Sequence, residues 1–317
     1  MGLAALLASL KAHSLTMPPV YVVDAGLDHS SKLRLAQVAP IHWVDAPLVS
    51  NLQSKLPATA GYPSQYTWLK LFASKLLPAG LEKVLYLDSD MLVLADISKL
   101  FKVPLEGRLL AAVRDFGMPC GHAALEQFGW RMDMPYFNAG LLLLDLKKFG
   151  LLSSRIECKI ASWGSKLAFH DQDLFNMVCL TDGWVELDYK WNAQGLGTYA
   201  AFRTRPQNDK PQLFSVPELE RLTADPAVVP YSAKPWSYLC NHPFKFKWLY
   251  FLDRTPWAGW RPSWATLVQV CTCETQEFAD KVAQQHPEFP VGKFLEAVAA
   301  NLAETAGCDQ GMQCPQH

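Results

Sequence analysis

The chain has 317 residues, enough for one large α/β domain with a C-terminal extension or for two modest domains. Half of them are hydrophobic and 19% are charged, with 29 Lys+Arg against 30 Asp+Glu. This near-neutral balance excludes nucleic acid as an evident partner, because neutralising a phosphate backbone takes a basic surplus, and no run approaches the roughly eighteen apolar residues of a membrane span.

In chain order, apolar runs alternate with amphipathic stretches. Gly2–Ser14 is predicted as a helix: Met1–Leu10 is apolar but has neither basic leader nor clear cleavage site, and it continues into Lys11-Ala12-His13-Ser14 as one face of a helix rather than a signal peptide. Val20–Asp24 reads as a buried strand, Ser30–Val38 as a helix, Ile41–Val44 as a short strand and Gln65–Leu77 as a helix ended by Pro78-Ala79-Gly80. Lys83–Leu87 is a strand that stops at an acidic cluster, while Leu109–Val113 and Gly140–Leu144 are continuous apolar runs of the kind covered on both faces. This alternation predicts a mostly parallel sheet with helices on both sides. Arg203–Pro217 reads as a loop, Pro226–Trp236 as a short strand and turn, and Glu274–Glu304 as helical with a break at Pro287 and Pro290. The expected plan is one domain over residues 1–262 and a helical extension with a tail over 263–317. The eight cysteines are sparse, with Cys271/Cys273 and Cys308/Cys314 the only clusters, which suits free thiols in a reducing, cytoplasmic setting and argues against zinc.

The sharpest feature is Val84-Leu85-Tyr86-Leu87-Asp88-Ser89-Asp90. Carboxylates at i and i+2 of an extended chain share a face, and at the C-terminal edge of a parallel sheet that face borders the ligand crevice. Two carboxylates on one side suit a hard cation such as Mn²⁺ or Mg²⁺, able to neutralise a diphosphate leaving group. The spacing alone is more that of a solvated turn, and Asp171-Gln172-Asp173 repeats it; the apolar strand before Asp88 is what raises the ligand reading. In Tyr136-Phe137-Asn138-Ala139-Gly140 the small residues let backbone approach a ligand and Asn138 offers an amide to sugar hydroxyls, although a strand entry with glycine for packing has the same look. His170-Asp171-Gln172-Asp173 suits a helix N-cap as well as a catalytic role. Lys234-Pro235-Trp236 sets a cation beside a rigid turn, suited to phosphate or simply to solvent. The eleven Trp and ten Tyr supply sugar-stacking faces or core.

VLYLDSDMLVLADISKLF, YFNAGLLLLDLKKF, HDQDLFN and the Lys-Pro-Trp turn stand in the order and context of the family-8 retaining glycosyltransferases, which the chain resembles over about residues 2 to 260. The stretch KPW…HP…DRTPWAGW looks closer to the bacterial lipopolysaccharide galactosyl- and glucosyltransferases than to glycogenin. The resemblance implies a GT-A fold of Rossmann-like type, a UDP-sugar donor (glucose or galactose), Mn²⁺ with Mg²⁺ as the alternative, and retention at the anomeric carbon. It implies Asp88 and Asp90 as metal ligands, with Asp88 also against the donor. Asn138, Ala139 and Gly140 match donor-sugar contacts and Lys234 matches the diphosphate-binding lysine. Gln172 and Asp171 match positions beside the β-face of the sugar, as electrostatic support for an oxocarbenium-like species. The acceptor would be a glycan, a lipid-linked sugar or a lipopolysaccharide-type hydroxyl, met by Tyr189–Tyr199 and the aromatic Trp236–Trp260 region. With a lipid-linked acceptor the basic-aromatic stretch from Phe244 to Tyr250 would touch a membrane surface; otherwise it covers the core.

Three departures accompany the resemblance. Family members begin with a strand before the helix that opens this chain at Gly2, so the sheet is expected to lack a middle strand, as in a shortened chain, and the uracil side of the pocket to be poorly formed. The helix that usually reads Tyr-x-Arg-Leu reads Tyr66-Thr67-Trp68-Leu69, with Lys70 the nearest cation to the missing arginine. The family's third metal ligand, a His shortly before Lys-Pro-Trp, falls nearest Val228; His242 is the closest substitute, but Asn241-His242-Pro243 matches a separate family feature. Weaker metal binding is the expected result, and the alternative is a catalytically degenerate member acting as a binding or scaffold protein. A nucleotidyltransferase or phosphohydrolase would want a Gly-rich phosphate loop or a nucleophile motif after the first strand, and neither is present.

Overall fold

The computed structural model describes residues 1–44, 46–53, 56–57, 65–196, 217, 221, 224–231, 234–238, 240, 242–263, 279–280, 283–284 and 290–309. The expected loop at 203–217 lies outside them except for its last residue, as do Cys271, Cys273, Cys314 and most of 274–289.

The chain opens on α1 (Gly2–His13), followed by β1 (Tyr21–Val23), α2 (His29–Val38), β2 (His42–Val44) and α3 (Ala46–Gln53). α2 starts where Asp28 accepts the Ser31 N–H at 2.8 Å together with the hydroxyls of Ser30 and Ser31, and these donors hold its carboxyl well below the usual range. A 3-10 helix over Gln65–Phe72 runs into α4 (Ala73–Leu76), where the sequence predicts a single helix to Leu77. Trp68 through Phe72 are all buried, so packing on every side, rather than one amphipathic stripe, selects the tighter winding. β3 (Lys83–Leu87) and β4 (Met91–Val93) flank the acidic turn, and α5 (Ser98–Phe101), β5 (Leu110–Arg114) and β6 (Phe137–Asp145) follow. Then come α6 (Leu146–Leu151), α7 (Ser153–Trp163), α8 (His170–Val178), β7 (Val185–Glu186), β8 (Val228–Pro230), α9 (Lys245–Leu252) and α10 (Val291–Asp309), the last beginning directly after Pro290.

Among the described residues a four-stranded sheet has the order β3-β6-β5-β7, with separate pairs β1-β2 and β4-β8. β6 runs antiparallel to both β3 and β5, and β4 antiparallel to β8, whereas β5-β7 and β1-β2 are parallel. The mostly parallel sheet expected from the sequence is therefore a mixed one. Continuous apolar runs report that both faces of a strand are covered and carry no information on its direction. Leu141 and Leu143 enter one core with α1, β4 and α9, while Leu142 and Leu144 enter another with the 3-10 helix, α7 and α8. α1 is buried all round from Ala4 to Leu10, more than the one face expected, as a helix apolar on every side requires. Its buried Ser9 hydroxyl donates to Leu6 O at 2.8 Å and accepts Val93 N–H at 3.0 Å, tying α1 to β4. Among the described residues β3 pairs only with β6 and β1 only with β2, so β3 is an edge of its sheet and β1 belongs to a separate pair. Every residue of β3 is only partly buried, although the strand is largely apolar. Among the described residues no helix is long and apolar enough to cross a membrane.

Candidate active site

The acidic turn is suspended between two sheets. Asp88 N donates to Gly140 O at 2.9 Å, and Tyr231 N donates to Asp90 O at 3.2 Å. The β5–β6 register jumps from Ala112 opposite Leu142 to Val113 opposite Asn138, leaving Ala139, Gly140 and Leu141 without a β5 partner. Irregularities of this kind re-aim side chains beside a site. Together these connections bring Asp88, Asp90, Asn138 and Lys234 around one cavity of about 370 Å³, with Asp115, Gln194 and Tyr231 on its other walls.

Lys234 is ion-paired with Asp90 and donates to Tyr231 O at 3.1 Å. Burial, and after it the charge of Asp88, push the Asp90 carboxyl above the usual carboxylate range, with Lys234 opposing. The other expected site residues stand behind the wall. Gly140 lies under Asp88 so closely that a Cβ there would be 3.0 Å from Asp88 Oδ2. Ala139 is buried, and its N–H donates to Gln172 Oε1 at 3.1 Å. Gln172 Nε2 donates to Asp115 Oδ2 at 3.2 Å. Asp171, also buried, pairs with Lys70 at 2.9 Å.

Asp115 is the functional candidate that sequence reasoning missed. Its Oδ1 accepts Gly117 N–H at 2.9 Å and Met118 N–H at 2.8 Å, and its Oδ2 accepts the amides of Asn138 and Gln172 at 3.1 and 3.2 Å. The signal was present: an apolar strand ends shortly before Asp115-Phe116-Gly117, the same pattern that marks Asp88. Tyr86, also unremarked, donates its hydroxyl to Asp88 Oδ1 at 2.6 Å. Burial alone would lower the Lys70 ammonium, but Asp171 and Asp88 overcome it and hold its pKa above that of an ordinary lysine.

Two of the departures have a structural answer. Trp68 is fully buried, with its ring 5.9 Å from His170, so the position expected to carry arginine is filled with core. Val228 is fully buried opposite Val93, and β8 meets the cavity at Pro230, followed by Tyr231 and Lys234. His242 is buried, its ring 4.5 Å from that of Tyr231, and its Nδ1 accepts Phe244 N–H at 3.1 Å. Burial pulls its pKa down to about 4. Among the described residues no group of three His, Cys, Asp or Glu is placed to hold a metal. Of the aromatics expected at the acceptor, Tyr189, Trp191 and Trp248 are buried in the core, because the clusters that look like stacking faces in the sequence close the sheet's own flank.

An acidic turn between two strands at the mouth of a helix-flanked α/β sheet is the architecture of the GT-A glycosyltransferases, and solved structures agree. Two crystal structures of LgtC, one an active-site mutant and one the galactosyltransferase with donor and acceptor sugar analogues, match 80% of this chain and 92% of theirs. Their TM-scores are 0.66 and 0.63 at 22 and 23% identity, which speaks for the fold. The model of Glycosyl transferase family 8 matches residues 18–240, and the chain belongs to that family. It is 25% identical over 252 residues to General stress protein A of Bacillus subtilis strain 168, covering 75% of this chain and 83% of that protein. It is 27% identical over 206 residues to the lipopolysaccharide 1,2-glucosyltransferase of Escherichia coli K12, covering 64% of this chain but 58% of that protein. With the glycosyltransferase GlyA of Streptococcus pneumoniae serotype 4 it shares 31% over 175 residues, 54% of this chain and 21% of that one.

Proposed function

We propose that the protein transfers a hexosyl group, glucose or galactose, from a UDP-sugar to a hydroxyl of a glycan, lipid-linked or lipopolysaccharide-type acceptor, with retention of anomeric configuration. Mn²⁺ or Mg²⁺ would be held by Asp88 and Asp90. The observation that carries the reading is the convergence of Asp88, Asp90, Asn138 and Lys234 on one cavity from the acidic turn, β6 and the turn after β8. The sugar class is supported by relatives named as a lipopolysaccharide glucosyltransferase and a galactosyltransferase.

The donor set fits a hard cation. Asp88 pushes Asp90 upward, a repulsion that a cation relieves, and Asp88, Asp90, Asp115 and Asp171 formally outnumber Lys70 and Lys234. Two carboxylates leave the other oxygen positions to phosphate and water, as Mg²⁺ sites commonly do. When bound, the cation supplies charge neutralisation at the departing diphosphate. Lys234 adds its ammonium on the same side, beside Asp90. Asn138 orients sugar hydroxyls through an amide whose own direction is set by Asp115 and by the Gly140 N–H, which donates to Asn138 Oδ1 at 3.0 Å. Gln172, held by Ala139 N–H and Asp115, and Asp171 behind it place negative potential near the anomeric carbon as positive charge develops there. The acceptor hydroxyl attacks from the face that UDP leaves.

The test is calorimetric titration of UDP with and without Mn²⁺, repeated on Asp90→Ala. Binding that requires Mn²⁺ and vanishes in the variant is expected; no binding by folded wild type overturns the reading. The edge of β3 that has no partner strand among the described residues favours one second reading, a family member that binds donor or glycan without turnover. It predicts UDP binding with neither transfer nor donor hydrolysis. Peripheral membrane contact belongs to the same proposal: α9 buries Trp248, Phe251 and Leu252 but exposes Phe246 (82%) and Tyr250 (52%). Cosedimentation with anionic vesicles, lost in Phe246→Asp, would support it.

A further inference from the structure

We propose that Lys70 is a positioning residue of the transfer site, its ammonium holding the first carboxylate of the acidic turn in register with the carboxylate in the first turn of α8. The inference rests on the hexosyl-transfer reading above. Lys70 Nζ lies 2.9 Å from Asp171 Oδ2, 3.0 Å from Ala139 O and 3.4 Å from Asp88 Oδ1. An ammonium has three N–H bonds, and these acceptors use all of them. Each acceptor lies on a different segment: the turn after β3, the irregular stretch of β6 and the start of α8. One buried cation therefore joins three pieces of chain that are far apart in sequence. Its side chain is 4% exposed, and the Tyr86 ring lies 4.5 Å from the ammonium.

The 3-10 winding explains how residue 70 reaches the site while residue 68 does not. Three residues per turn put positions two apart on different faces, so Trp68 enters the core beside His170 and Lys70 turns to the carboxylates. Among the described residues neither Asp88 nor Asp171 has another cationic partner. Asp88 Oδ1 is shared between Lys70 and the Tyr86 hydroxyl, and no described donor reaches Oδ2, which leaves that oxygen for a cation. Asp171 precedes Gln172, whose carboxamide is held by Ala139 N–H, and Lys70 grips the carbonyl of that same Ala139. The ammonium thus sets the site through its neighbours without itself lining the cavity.

The test is a double-mutant cycle on the full chain with Lys70→Met, Asp171→Asn and their combination, with Lys70→Arg as the charge-retaining control. Thermal midpoint, UDP affinity in Mn²⁺, kcat and donor KM are measured for each. Each single variant is expected to lower kcat by about tenfold or more; Asp171→Asn should leave UDP affinity within about threefold, Lys70→Met should also weaken it through the loosened Asp88, and the double should be no slower than the worse single. Lys70→Arg should recover part of kcat. If Lys70→Met does not fold, having left two carboxylates without a counter-charge, the double variant compared with Asp171→Asn decides: equal kcat supports the proposal, and a further tenfold loss overturns it. Multiplicative losses in the cycle, or equal falls of UDP affinity and midpoint with unchanged kcat, overturn the positioning role. A wild type that neither binds UDP nor turns over fails the functional reading itself, and the role falls with it.

Discussion

Replacing Gly140 with Ala probes the closest approach in the site. Gly140 is not among the glycines of positive φ, so alanine suits its backbone, and any cost is steric. A Cβ built there lies 2.7 Å from Met91 Cε and 3.0 Å from both Asn138 Oδ1 and Asp88 Oδ2. Ordinary contact begins near 3.4 Å, so the methyl of Met91 sits about 0.7 Å too near and each oxygen about 0.4 Å too near. Met91 borders the cavity and its thioether end can shift at some cost, whereas Asp88 is held on its other oxygen by Tyr86 and Lys70. Overpacking of this kind costs about 1–3 kcal/mol. Alanine's smaller unfolded-state entropy returns only about 0.4–1 kcal/mol, so a net loss of stability wins. The functional effect should be larger than the stability effect implies, since metal–oxygen distances tolerate only about 0.2 Å. Urea unfolding is expected to show a loss of about 1–2 kcal/mol, and UDP titration in Mn²⁺ a fall in affinity of about tenfold, equivalent to about 1.4 kcal/mol. A variant as stable as wild type that binds UDP within about twofold would show that neither oxygen is confined as described.

Other expectations follow from single contacts. Ser9→Ala removes the acceptor of the buried Val93 N–H, and urea unfolding should register a loss of about 1–3 kcal/mol; an unchanged midpoint would mean that another acceptor takes over. Val228→His places an imidazole in a fully buried strand position, so it should destabilise by about 2 kcal/mol or more without tightening Mn²⁺ binding; a tighter Mn²⁺ complex would show that position 228 does face the metal. His242, depressed to about 4 from 6.5, stays neutral in the folded state while the unfolded state takes up its proton. Its contribution is complete above pH 6.5 and is lost as pH falls through about 4, a decline approaching about 3 kcal/mol. His242→Gln should flatten stability across that window, and superimposable pH curves would remove His242 as the cause.

Much of the site was legible because its residues sit in local patterns. The apolar strand ending at Asp88 and Asp90, the Asn138-Ala139-Gly140 entry to β6 and the cation at Lys234 could each be read from a few neighbours, and the cavity joins them. Asp115 and Lys70 were harder to read because what distinguishes them is not local: Asp115 gathers amides from residues 138 and 172, and Lys70 bridges residues 88, 139 and 171. Strand direction was likewise beyond the sequence, since Leu141–Leu144 is equally apolar whether its neighbours run with it or against it. The same limit applies to Trp191 and Trp248, which chemistry alone allows on a sugar or in a core. The sequence by itself determined where strands end and which carboxylates and amides stand at those ends, because these follow from hydrophobic periodicity and turn chemistry within a few residues. Only the tertiary structure decided which of them meet, which aromatics are spent on the core and which lysine pairs with which acid, because those outcomes depend on packing between segments far apart in the chain.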